Sequence, residues 1–257
     1  MATWVVGDVH GCYDDFMKLL DHKEVDPKDK FILIGDIIDR GPDSYKMIRW
    51  AMKHISKTGK YQMILGNHED NIIQDFNKCQ LKLERGWYNR NGWCDTIYTL
   101  EDLDISALNT HYDFIEYMYA EGFESVESVR PIVDWFKTLP LTKKVTVTGP
   151  DGNKLHYLLA HGWWRPGIGR EMILWYRDIS EASSPYDTEK DQYKPVKDEV
   201  LIHGHTPTII LRNKNGKPYN KVLIKKNSIN IDCGCVFKKF GGRLAAIRLE
   251  DKKIIYV

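Results

Sequence analysis

Three times in its first 70 residues the chain runs a short apolar segment straight into a glycine-framed polar motif. Residues 3–6 lead into GDVHG, 31–34 into GDIIDRG, and 61–65 into GNHED. Short, continuous, β-branched runs of this kind are buried strands of an α/β sheet. Polar groups placed just after such strands collect along one edge of the sheet, where α/β folds bind ligands. Two later segments, LAHG at 159–162 and HGHTP at 203–207, carry His161 and His205 in the same way. The chain must therefore fold so that five strand ends meet.

The intervening residues predict the elements that bring them there. Phe16, Leu19 and Leu20 fall at helical spacing over residues 13–22, and Met47, Ile48, Ala51 and Met52 do so over 44–56, with Asp43 as N-cap. The start is thus two successive β-α-β units. From about 101 to 137 the pattern turns helical, with Phe114, Ile115, Met118 and Tyr119, then Val129, Ile132, Val133 and Phe136, which predicts a helical insertion of two amphipathic helices. A hairpin is expected over 143–148 and 155–160 around the Gly149–Gly152 turn. Further strands are expected at 200–203, 208–211, 219–224, 228–231, 244–249 and 254–257, largely antiparallel because their connections read as short. Residues 180–197, polar and broken by Pro185 and Pro195, predict a loop flanking the substrate. A length of 257 residues suits one α/β domain over the whole chain.

Charge supplies an exclusion. With 37 basic against 36 acidic side chains, the chain offers no bulk attraction to a nucleic-acid duplex or a membrane surface, so a polyanion must be held locally. Five cysteines without a CxxC pair are expected to be reduced, and no apolar stretch approaches the about 20 residues of a spanning helix. A cytoplasmic protein is the expectation. Nothing in the sequence speaks to oligomeric state.

The polar motifs themselves point to cations. Asp8 and His10 taken alone read equally well as a helix cap and a surface histidine. With Asp36 and Asp39, three acidic groups stand at the ends of adjacent buried strands, where their repulsion is costly unless cations neutralise it. Asp36 is the natural bridging carboxylate. Asn67 adds an amide oxygen suited to manganese or iron, and His161 and His205 add imidazoles. His203 is assigned to the body of a strand, while His22, His54, His111 and His156 have no motif around them and read as surface or packing histidines.

In this order, and across most of the chain, the five segments resemble the phosphoprotein phosphatase branch of the calcineurin-like metallophosphoesterases, nearest its compact bacterial and phage members. The resemblance implies two mixed β-sheets packed as a central sandwich flanked by helices. It also implies two divalent metal ions, Mn2+ foremost with Fe or Zn as alternatives. Asp8, His10 and Asp36 would surround one ion, and Asp36, Asn67, His161 and His205 the other. His68 is the implied general acid, Asp39 its orienting partner, and Arg40, Arg177 of LWYRD and Asn67 the phosphate-binding groups. The implied activity is hydrolysis of phosphate monoesters by a hydroxide bridging the metals, with phosphoserine or phosphothreonine of proteins as leading substrate. The alternative is a hydrolase of dinucleoside polyphosphates. A binding module that has lost its chemistry ranks third, because every implied ligand and His68 are present. The chain departs from the resemblance at GWWRPGIGRE after His161, where Trp163 and Trp164 either pack or form an aromatic platform for a nucleobase or a phosphopeptide side chain. With Arg165, Arg170 and the 180–197 loop, these are the walls that separate a phosphoprotein from a nucleotide substrate.

Overall fold

The computed structural model describes residues 1–84, 129–177, 198–211 and 219–257. In chain order the first half gives β1 (Thr3–Val6), α1 (Tyr13–Leu20), β2 (Lys30–Leu33), α2 (Ser44–His54), β3 (Tyr61–Met63), α3 (Asn67–Glu84) and α4 (Arg130–Lys137). The second half gives β4 (Thr142–Thr148), β5 (Lys154–Ala160), α5 (Arg170–Trp175), β6 (Glu199–His203), β7 (Leu223–Ile224), β8 (Ser228–Asn230), β9 (Ala245–Arg248) and β10 (Ile254–Tyr256). One sheet runs β10-β9-β1-β2-β3, the other β4-β5-β6-β8-β7. Both are mixed, and their inner faces share one apolar core: Val5, Ile32, Ile34, Ile64 and Ile247 from the first meet Tyr157, Leu159, Ile202 and Ile229 from the second. This is the expected sandwich.

Alternation along the strands turns the other faces outward to helices. Trp4, Val6, Phe31 and Leu33 pack with Phe16 and Leu19 of α1, Met47 and Ile48 of α2, and Val133 and Phe136 of α4. On the second sheet Leu158, Ala160 and Leu201 pack against Trp163 and Ile173, next to and within α5. No helix among the described residues is long and apolar enough to cross a membrane.

The two β-α-β units and the 142–148/154–160 hairpin form as expected, with β1, β2 and β3 parallel and β4 and β5 antiparallel. Asp43 does precede α2, but its carboxylate pairs with Lys46 at 2.8 Å and caps nothing. The expectation of largely antiparallel pairing in the second half needs correction, because β5–β6 and β6–β8 are parallel. Residues 208–211, expected as a strand, instead form a 3₁₀ turn at Thr208–Ile210, and 219–224 shrinks to Leu223–Ile224. β7 lies between β6 and β8 in the chain but at the far edge of the sheet, so β8 returns from it to lie parallel beside β6, and a short connection at that point does not make β6 and β8 antiparallel. The antiparallel expectation holds for β7 with β8 and for β9 with β1 and β10. Of the expected insertion, α4 is its second helix; the first lies outside the described residues, as do the substrate-flanking loop at 180–197 and the two cysteines Cys79 and Cys94 as side chains.

Candidate metal centre

Parallel strands bring their C-terminal ends to one side. Here β1, β2 and β3 of one sheet and β5, β6 and β8 of the other point to the same place: His161, after β5, contacts the Ile34 carbonyl after β2 at 2.8 Å, and the backbone N–H of His205, after β6, donates to Asp8 after β1 at 3.0 Å. The loops that carry the polar groups are wound tightly. His10, Asp36, Asp39, Arg40 and His205 all have positive φ, between 47° and 68°. That region costs an ordinary side chain about 1–2 kcal/mol, and non-glycine residues held in it cluster at functional sites. Backbone bonds hold them there: the N–H groups of Val9 and His10 both donate to the Asp36 carbonyl, and Gly11 N–H donates to Ile37.

Asp36 lies at the centre. Its Oδ1 accepts the backbone N–H of His68 at 3.1 Å, and its Oδ2 stands 3.2 Å from His161 Nε2, 3.7 Å from His10 Nε2 and 3.8 Å from His68 Nε2. The far nitrogens of all three rings are already committed, that of His68 to Asp39 Oδ2. His10 Nδ1 donates to the Ile38 carbonyl and His161 Nδ1 to the Ile34 carbonyl, which leaves their Nε2 lone pairs aimed inward. His205 works the other way round, its Nε2 donating to the Trp175 carbonyl at 3.2 Å and its Nδ1 turned in. Asn67 Oδ1 then lies 2.8 Å from both His161 Nε2 and His205 Nδ1. Lone pairs at such distances repel unless a proton or a cation is shared among them. Asp8 Oδ1 and Asp232 Oδ2 are buried nearby without a hydrogen-bond partner. The donor set of carboxylate, amide oxygen and imidazole suits a hard-to-borderline divalent ion, so the residues present fit a metal pair.

The electrostatics lead to the same conclusion. Burial opposes ionisation of Asp36, yet the imidazoles of His161, His68 and His10 hold it well below the usual carboxylate range. Burial, then repulsion from Asp232, pushes Asp8 well up. Burial likewise raises Asp232 to about 6 and, with the Asp36 charge, Glu69 to about 7. His161 resists its burial and rises to about 10 beside Asp36, whereas burial drives His10 down to about 3 and His205 to about 2. The protein's own charges thus protonate some groups to relieve the crowding of carboxylates that divalent cations would relieve directly.

Of the expected site residues, two clusters form: His10, Asp36 and His68 in one, Asp36, His161 and His205 in the other, with Asn67 joining the second. Asp8 stands one step back, its Oδ2 taken by His205 N–H. His68 Nδ1 meets Asp39 Oδ2 at 2.6 Å; its burial lowers its pKa, but Asp36 and Asp39 outweigh that and raise it. Arg40 Nη1 donates to His10 Nε2 at 3.0 Å, and Arg177, exposed at the rim, donates to the His205 carbonyl at 3.2 Å. Trp163 is only 6% exposed and packs edge-on against His203, so its ring is not free to stack a base, and the packing role open to it from the sequence is the one it has; Trp164 leans half-buried on the same cluster. Arg170 pairs with Asp70, fastening α5 to α3. His203 ends β6, as expected.

Two buried acids escaped the sequence reading. Glu69 accepts backbone N–H groups from Asp36, Ile37 and Gly66 at 2.9–3.0 Å and so braces the central loop. Asp232 follows β8, and the rule that found Asp8 and Asp36 after β1 and β2 would have found it. Trp175, 39% exposed with its ring 6.2 Å from His205, is an aromatic residue at the rim.

Residues 1–233 match the calcineurin-like phosphoesterase family, and the chain belongs to it. It is a metallophosphoesterase, in a family that uses a dinuclear metal centre. Its relatives include the symmetrical bis(5'-nucleosyl)-tetraphosphatase of Methylobacillus flagellatus, 27% identical over all of this chain and 95% of the relative. The protein of the same name from Nitrosospira multiformis is 24% identical over 99% of this chain and 94% of its own length. Among solved structures, a putative diadenosine tetraphosphatase superposes with a TM-score of 0.56 at 17% identity, covering 99% of this chain and 92% of its own. A Saccharomyces cerevisiae serine/threonine phosphatase gives 0.54 at 16%, covering 100% of this chain and 79% of its own. At such identities both share the fold. The expected nearness to phage-type protein phosphatases is not what these relatives' names reflect; their names favour the dinucleoside polyphosphate alternative over the phosphoprotein reading.

Gly66 tests the bracing of the centre. A methyl group there overlaps the Asp36 backbone nitrogen and carboxylate and the Glu69 carboxylate. Gly66→Ala is expected to cost about 1–3 kcal/mol by overpacking, read as a lower denaturant midpoint at unchanged m-value. An unchanged midpoint would show that the loop is not held as described.

Proposed function

We propose that the protein is a dinuclear-metal hydrolase of dinucleoside polyphosphates that splits a symmetrical tetraphosphate into two nucleoside diphosphates. The observation that carries this reading is similarity along the whole chain to enzymes named for that activity. Asp8, His10 and Asp36 would hold one ion and Asp36, Asn67, His161 and His205 the other, with Mn2+ as the assigned metal of a cytoplasmic enzyme. Bound there, the ions supply the Lewis acidity that activates water and offsets phosphoryl charge. Arg40, beside His10, and Arg177, beside His205, would present guanidinium forks to the phosphoryl oxygens, an interaction that gains strength as charge builds in the transition state; Asn67 would add its amide. His68, whose Nδ1 is held by Asp39, is placed to deliver a proton from Nε2 to the departing oxygen. Trp175 at the rim offers a face for a base.

The leaving group differs between the candidate substrates. A serine alkoxide is strongly basic and needs the proton, whereas a nucleoside diphosphate leaves with far less help. With the manganese-loaded protein, kcat/KM for a symmetrical dinucleoside tetraphosphate should exceed that for a phosphoserine peptide by at least a hundredfold, about 2.7 kcal/mol in transition-state binding. The reverse preference would restore the protein phosphatase reading. His68→Asn should lower kcat about 10²- to 10⁴-fold on the peptide, and by a smaller factor on the tetraphosphate; equal losses on both would remove the leaving-group argument. Asp36→Asn should reduce tightly bound metal from two ions per chain, as counted by elemental analysis. Two retained ions would contradict a bridging role.

A further inference from the structure

Among the described residues a third group of donor side chains comes together apart from the Asp, Asn and His cluster. Donor atoms of Cys12, Asp15 and Cys235 lie within 4.8 Å of one another. Cys12 follows GDVHG, Asp15 sits in the first turn of α1, and Cys235 opens the 3₁₀ turn after Gly234, whose φ is 70°. The fold thus joins residues 220 positions apart, with Cys235 Sγ 4.0 Å from Asp15 Oδ2. All three are buried, at 7%, 5% and 1% exposure in chain order. Cys12 occupies the N-cap position of α1 yet makes no capping bond, and neither cysteine is in a disulfide.

We propose that Cys12, Asp15 and Cys235 form a binding site for a thiophilic divalent cation of the zinc type, separate from the dinuclear centre. Two sulfur donors and one carboxylate select a softer ion than the oxygen- and nitrogen-rich centre does. Each thiol binds as thiolate, its proton released to solvent. The charges then balance: two thiolates and one carboxylate against a divalent ion and Lys238, which already pairs with Asp15. Lys18, 3.6 Å from the other Asp15 oxygen and largely exposed, can swing to solvent. Three protein donors leave the fourth tetrahedral position open, as in zinc sites that accept an exogenous ligand. Cys12, Asp15 and Cys235 line a cleft of about 510 Å³ whose walls also include Tyr13, Arg40, Gly41 and Phe237. Arg40 borders both sites, so an ion here stands beside the phosphate-binding face and ties the start of α1 to the loop after β8.

Cobalt(II) is a suitable probe, because the donors of the dinuclear centre include no sulfur. Added to the manganese-loaded holoenzyme, Co2+ should produce a near-ultraviolet thiolate-to-cobalt charge-transfer band that saturates at one ion per chain. The band should vanish in both Cys12→Ser and Cys235→Ser. Because each substitution changes a side chain in a buried corner, X-ray absorption of the zinc-loaded wild type gives a variant-free reading, with sulfur neighbours expected at about 2.3 Å from zinc. No thiolate band, a band that survives Cys235→Ser, or zinc with only nitrogen and oxygen neighbours would each overturn the site. None of these readings depends on the substrate, so the proposed activity and this site stand or fall separately.

Discussion

The buried carboxylate of Asp36 is the constraint on which the rest of the molecule turns. Its residue takes a left-handed backbone conformation, its carbonyl collects two N–H groups from the β1–α1 loop, its own N–H is held by Glu69, and its side chain faces three imidazoles. One residue thereby couples β1, β2, β5 and α3. Remove the charge and the imidazoles lose the partner that sets their protonation; lengthen the loop and the strained φ angles lose their backbone bonds. Strain of this kind persists only where the surroundings over-determine it, and the bonds to Asp36 and Glu69 are what over-determine it here.

The arrangement also explains why the second sheet exists in its present form. A single β-α-β sheet can deliver Asp8, His10, Asp36, Asn67 and His68 along one edge, but it leaves one side of that edge to water. Parallel β5, β6 and β8 close the other side with His161, His205 and Asp232, and the sandwich core between Ile34 and Leu159 keeps the two edges in register. Antiparallel neighbours would have sent alternate strand ends away from the site. The parallel pairing that the sequence reading missed is therefore the part of the topology that the centre requires.

Legibility in the sequence followed the range of the signal. Buried strands running into glycine-framed motifs are local patterns, and they located Asp8, His10, Asp36, Asn67, His68, His161 and His205, all of which the structure places at one end of the sandwich. Periodicity likewise found α1, α2 and α4. The direction of β6 against β8 depends on what residues 204–227 do in space, and a four-residue apolar run such as 208–211 reads alike as strand or 3₁₀ turn. Glu69 was passed over because its work is done on backbone N–H groups 32 and 33 residues away, which no spacing rule registers. The fate of Trp163 is set by Ile173 and His203 around it, again a tertiary matter.

Substrate choice then has to be made outside the centre. The groups proposed to bind metal and phosphate would act on a phosphoryl group and its immediate oxygens, which a phosphopeptide and a dinucleoside tetraphosphate have in common. Discrimination must come from what the rest of the substrate touches. With Trp163 buried, Trp175 is an exposed aromatic surface near the centre among the described residues, at the end of α5 and in edge contact with His205, whose ring nitrogen its own carbonyl holds. A base stacked on Trp175 would thus bear on the residue that orients His205. Under the proposed function, binding at the rim and geometry at the centre would be joined through one backbone carbonyl, a link that a flexible peptide side chain would not load in the same way.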